Sequence, residues 1–145
     1  MKTTSFLLIC LALILVTSCS DKGIEPIQTT DIEAKLIGNW LWLESCGGID
    51  GKCLRPPYIG KEGLSFDKDG KSFYWRDDGF PSILDYKIEQ KTSLVYRPDT
   101  IVTVIVFISE SVVIQDLIIK QLDDSGLTVI EDCIDCYESV YSKTQ

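Results

Sequence analysis

Histidine is absent from the 145 residues, which excludes Ser-His-Asp and Cys-His nucleophilic catalysis, His-ligated zinc and every imidazole acid–base mechanism. Bases are scarce too: 14 Lys and Arg stand against 22 Asp and Glu, a formal charge of −8. Phosphate binding depends on clustered cations, so no nucleic-acid partner is expected. There is no glycine-rich phosphate cradle, no internal repeat and no thioredoxin-like βαβ pattern around Cys133 and Cys136. Asp67-x-Asp69-Gly70 lacks the third acidic ligand and the distant Glu of a calcium loop, and reads as a turn. The paired acids Asp77-Asp78 and Asp123-Asp124 precede Gly79 and lie near Gly126, as solvated loop tips do. Linear spacing brings no two carboxylates together as a glycosidase would need. The expectation is a protein without catalytic residues, metal or cofactor.

What is present begins with a leader. Lys2, the apolar run Phe6 to Val16 and the small residues after it form a secretory signal. Those eleven apolar residues would rise about 16 Å as a helix, roughly half of a hydrocarbon core, so the run cannot span a membrane. Val16-Thr17-Ser18-Cys19 resembles the bacterial lipoprotein box. The resemblance implies a diacylglycerol on the Cys19 sulfur and cleavage after residue 18; an ordinary signal peptide with a chance cysteine is the alternative. Ser20 after the cysteine resembles the outer-membrane pattern of Gram-negative lipoproteins. Two or three acyl chains, at about 0.8 kcal/mol per buried CH₂, would hold a domain on a membrane without a protein span. The expected organisation is a signal peptide at 1–18, a lipidated polar tether at 19–29 and one domain at 30–145. Without the leader, 145 less 18 leaves 127 residues, enough for one core, and loss of Lys2 leaves 13 bases against 22 acids.

Thr30-Asp31-Ile32-Glu33 fits a capping box, and Ile32, Leu36 and Ile37 share one stripe, predicting a short helix that ends at Gly38. After it come eight runs rich in β-branched and aromatic residues: GNWLWLES, EGLSF, KSFYW, SILDYKIE, TIVTVIVFIS, VVIQDLIIKQL, LTVIED and YESVYSK. Asp67 to Gly70 and Asp123 to Gly126 are tight hairpin signals, so neighbours pair antiparallel. Eight such strands in up-and-down order close into a barrel with a filled core or a small-ligand cavity; a two-sheet sandwich is the rival.

The helix leading into Gly38-Asn39-Trp40 resembles the Gly-x-Trp signature of lipocalins. Together with Leu64-Ser65-Phe66-Asp67-x-Asp69-Gly70, Tyr86-Lys87-Ile88 and Tyr141-x-Lys143, the pattern is similar to lipocalin-like domains of bacterial envelope lipoproteins over most of 32–143. The resemblance implies that Gly38 and Trp40 seal the closed end of the barrel. Where lipocalins place an Arg over that Trp, Lys143 is the nearest residue, a less planar cap. It further implies that the loop from Cys46 to Lys61 acts as a lid, with Leu54, Arg55 and Tyr58 over the mouth; a plain surface loop is the alternative.

Alternation puts Trp40, Trp42 and Glu44 on one face, so an inward Trp face brings Glu44 toward the mouth. Leu64, Phe66, Phe73, Trp75, Leu84, Tyr86 and Ile88 are also placed inward. TIVTVIVFIS is apolar on both faces and needs outside cover, from the N-terminal helix or a second subunit. Of the thiols beyond the leader, Cys46, Cys53, Cys133 and Cys136 are expected as disulfides rather than a zinc site, because export favours oxidation. Barrel topology puts both pairs at one end, which favours a bond from each of 46/53 to one of 133/136; 46–53 with 133–136 is the alternative.

Two functional readings remain. The first is a lipid-anchored envelope protein, on the outer membrane, whose barrel sequesters a small, largely apolar molecule in contact with Trp42, Tyr58, Trp75 and Tyr86. The second is a filled barrel that holds an envelope protein or glycan through its loops and outer faces.

Overall fold

A computed structural model describes residues 29–57, 60–76, 79, 82–96 and 99–144. The signal peptide, Cys19, Tyr58, Asp77 and Asp78 lie outside the described residues. The chain runs α1 (Thr29–Leu36), β1 (Gly38–Gly47), β2 (Lys52–Leu54), β3 (Glu62–Phe66), β4 (Lys71–Arg76), β5 (Ser82–Thr92), β6 (Ile101–Ser109), β7 (Val112–Leu122), β8 (Gly126–Glu131) and β9 (Tyr137–Lys143). Every neighbouring pair is antiparallel, in the order β1-β3-β4-β5-β6-β7-β8-β9, and β9 returns to β1. This is the eight-stranded up-and-down barrel with a short preceding helix that the sequence predicts; the sandwich is excluded. The ninth strand, β2, was not foreseen. It pairs with the second half of β1, where β3 has already left.

Both hairpin signals form as the chemistry requires. Asp67 accepts from the Asp69 and Lys71 amides at 2.9 and 2.8 Å, and Gly70 takes φ +77°. Asp123 accepts from the Ser125 amide, the Ser125 hydroxyl and the Gly126 amide at 2.8–2.9 Å. With a Gln121 amide bond first among its causes, these contacts hold the Asp123 carboxyl far below its ordinary range.

The hairpin at 67–70 and helix α1 share one end of the barrel, which is closed. Ile32 and Leu36 of α1 bury against Trp40, Leu64, Phe66, Ile88, Ile105, Phe107, Leu117, Leu127 and Val129, the inward faces of the strands. Gly38 turns the chain from helix to strand with φ +131°, and a Cβ there would stand 2.9 Å from the Lys143 stem. Trp40 is fully buried, and its indole N–H donates to the Leu36 carbonyl at 2.7 Å. The Lys143 ammonium lies 4.9 Å from the Trp40 ring and donates to the Lys35 carbonyl at 2.7 Å. Two carbonyls that a helix C-terminus leaves open are thereby occupied, one of them by a cation at the negative end of the helix dipole.

The outward apolar face of β6 is covered by the chain itself, not by α1 and without need of a second subunit. Val104, Val106 and Ile118 form a second buried cluster, with Val102, Ile108 and Ile130 against it. Beside this outer wall the strap from Lys91 to Val95 is pinned to β7 and to the residue after β8. Asp132, its side chain 1% exposed, accepts from the Ser93 hydroxyl at 2.7 Å and the Leu94 amide at 3.0 Å, and pairs with Lys91, which also pairs with Asp116.

Candidate functional site

The open end carries the segments 48–57 and 60–61, the β6–β7 turn and the turn 132–136. Beneath it lies a cavity of about 220 Å³ inside the barrel, open on one side. Its walls are Leu64, Leu84, Phe107 and Leu117 below, and Ser72, Tyr74, Gln115, Glu131, Ser139 and Tyr141 around and above them. Register explains this set. Directly opposed residues of an antiparallel pair point to the same face, and Leu64 faces Tyr74 while Phe66 faces Ser72. The inward face of β4 is therefore Ser72-Tyr74-Arg76.

That register corrects the placement of two aromatics. Phe73 and Trp75 oppose Ser65 and Gly63 on the outside of the barrel. A Cβ on Gly63 would come within 2.7 Å of the Trp75 ring and 2.2 Å of the Trp40 carbonyl, so only glycine allows that indole to lie over the outer wall. Tyr86 does face inward, but at the floor: its ring packs edge-on to Phe66 at 5.0 Å and its hydroxyl donates to the Asp67 carbonyl at 2.8 Å. Burial raises its phenol pKa, with Glu33 and Asp67 adding to the effect. Trp42 opposes Tyr141, and its N–H donates at 2.9 Å to Ser45, whose hydroxyl shares a 2.6 Å bond with Ser139. Of the four expected contact residues, Trp42 thus reaches the cavity only through Ser45 and Ser139. Trp75 and Tyr86 are away from it.

A bulge moves Glu44 as well. The β1–β9 register slips between Trp42 and Glu44, so that Glu44 opposes Val140 and Ser45 opposes Ser139. One extra residue inverts the alternation. Glu44 consequently lies outside, bound by Arg55 at 2.9 Å, and Arg55 is held there rather than over the mouth. Strand β2 also decides the disulfides: Cys46 and Cys53 are directly opposed, 4.0 Å apart at Cα, and are bonded to each other. Cys133 is bonded to Cys136. The cross-loop pairing is therefore wrong, although its premise holds, since the Gly48 amide donates to the Cys136 carbonyl across the two loops at 3.5 Å. All four sulfurs being in disulfides, no thiolate remains at these positions for zinc.

The residues that do line the rim were missed. Glu62 is buried at the open end, its carboxylate bonded to the Arg76 guanidinium at 2.9 Å and to the Tyr74 hydroxyl at 3.1 Å. Gln115 donates its amide to Glu131 at 2.8 Å. Burial pushes the Tyr141 phenol up to about 12; a bond with Ser139 opposes this, and nearby Tyr74, Glu131 and Glu62 reinforce it. Burial raises Tyr74 in the same direction, against the Arg76 bond. Both phenols stay neutral and can donate or accept. Counting outward from the 67–70 turn would have found Ser72 and Tyr74 once Phe66 and Leu64 were placed inside. No comparable local signal marks Gln115 or Glu131. Compared with protein-family models, curated proteins and solved structures, the chain finds no match.

Proposed function

We infer that this chain is a lipid-anchored envelope protein of the lipocalin-like kind, whose barrel holds a small amphipathic molecule by sequestration rather than turnover. The observation that carries the reading is the cavity of about 220 Å³ with an apolar floor and a polar rim. It lies below the roughly 300 Å³ at which pockets for drug-sized ligands begin, so the guest is small. Burial of its apolar part against Leu64, Leu84, Phe107 and Leu117 supplies affinity at about 25 cal/mol per Å². Tyr74, Ser139 and Tyr141 orient the polar part. The anchorage rests on Lys2, the apolar run and the Cys19 box, and the likeness to lipocalins on Gly38-x-Trp40 under a helix.

Native mass spectrometry of the exported full chain after exposure to an envelope extract tests the binding. A noncovalent adduct lost on denaturation is expected; no adduct from any fraction would overturn the reading. Its intact mass tests the anchor, with Cys19 expected as an acylated N-terminus. A free thiol there would overturn it. A second reading, a protein-binding module, is favoured by one observation: Ile49, Val112, Ile114 and Ile134 are 58–94% exposed near the open end. Capture of a protein partner with the cavity still empty would support it instead.

A further inference from the structure

Taking the cavity as a guest site, we propose that its guest is a small organic cation, a protonated amine with an apolar body, whose ammonium group sits on Glu131. The carboxylates at the open end are not equivalent. Glu62 is neutralised by Arg76, and Asp116 and Asp132 share Lys91. Among the described residues that line the cavity, Glu131 is the one carboxylate. It follows Leu127 and Val129 on the inward face of β8, lines the cavity and opposes Leu117, and its bonded side-chain partner is the neutral Gln115 amide. No described lysine or arginine forms an ion pair with it.

Glu131 also stands where the cavity meets the solvent. A surface groove lined by Ile114, Gln115, Asp116, Glu131, Asp132 and Cys133 shares Gln115 and Glu131 with the cavity. Among the described residues of that groove three carboxylates, Asp116, Glu131 and Asp132, stand beside the one lysine that pairs with two of them, Lys91, which favours entry of a cation over an anion. At the end of that path the carboxylate stands beside apolar walls, where charge attraction is screened less than in open water. The amide oxygen of Gln115 and the hydroxyls of Ser139 and Tyr141 can accept the ammonium's other protons. The organic body then falls against Leu64, Leu84, Phe107 and Leu117. The chain's formal charge of −8 acts in the same direction at long range.

Three probes of one shape separate this proposal from the reading it rests on: 2-phenylethylammonium, neutral 2-phenylethanol and anionic 3-phenylpropionate, titrated by calorimetry into the full chain. The ammonium is expected to bind about tenfold or more tighter than the alcohol, and the carboxylate weakest. Glu131→Gln should erase the ammonium's advantage while leaving the alcohol within about twofold. Equal binding of ammonium and alcohol, or tighter binding of the carboxylate, would overturn the cation assignment and leave the cavity as a guest site. Failure of all three to bind would overturn both.

Discussion

At the helix end of the barrel, Trp40, Lys143 and Tyr86 direct their polar atoms to the chain's own carbonyls; at the loop end, Tyr74, Gln115, Glu131 and Tyr141 line a cavity. The first arrangement is built from neighbours in sequence. Gly38, Trp40 and the helix they follow lie within a dozen residues, while Tyr86 and Lys143 come from afar. The second is assembled from seven strands, β3 to β9, in a sheet whose register shifts between Trp42 and Glu44, between Phe107 and Ile108 and between Ile119 and Gln121. A dry plug needs volume and a few caps, whereas a lined cavity needs exact parity along each strand, and bulges at barrel rims are a common way to set it. The contrast assigns stability to one end and recognition to the other.

Substitutions can break that contrast in descending order of effect. Trp40→Ala at the closed end should cost about 3–5 kcal/mol in denaturant unfolding, from lost burial and a cavity beneath the helix. A loss under 1 kcal/mol would show that the plug is not where stability resides. Asp132→Ala, which strips the strap of its acceptor, should cost about 3 kcal/mol, because Lys91 and the Ser93–Val95 donors are left without it.

Its pH dependence follows from the same geometry. Burial raises the Asp132 carboxyl, but the Ser93 hydroxyl, the Leu94 and Val95 amides and the Lys91 ammonium outweigh it, and the pKa ends below the ordinary 3.8. A depressed folded-state pKa gives stability that is present above the unfolded value and disappears as pH falls through the folded one. Acid unfolding of the native protein should therefore steepen below about pH 4, and less so in Asp132→Ala.

Smaller effects sharpen the comparison. Cys46→Ser with Cys53→Ser should cost about 2 kcal/mol, as expected for a short closed loop, and non-reducing peptide mapping of the native chain should recover 46–53 and 133–136 links. A 46–133 or 53–136 peptide would contradict the register of β2. Glu131→Gln at the open end should change stability by no more than about 0.5 kcal/mol while altering which guests bind. A large loss of stability there would abolish the division between the two ends.

Most of the architecture was legible. Eight runs of β-branched and aromatic residues between turn signals gave the eight barrel strands, and a helical stripe before Gly38 gave the plug. Strand β2 was hidden because Lys52-Cys53-Leu54 is three residues in a glycine-rich loop and has no periodicity of its own. The candidate site was less legible for a related reason. Alternation groups residues by face without saying which face is inside, so the aromatic Phe73-x-Trp75 looked like lining and the polar Ser72-x-Tyr74 like surface. The long-range register reverses both, and the disulfides followed β2 rather than barrel closure.

Xenon-pressurised crystals test most directly whether the barrel is hollow above its tryptophan floor. The account predicts a xenon atom among Leu64, Leu84, Phe107 and Leu117, lost when Leu117→Trp fills the space. A barrel that takes up xenon only on its outer faces, or not at all, would contradict it.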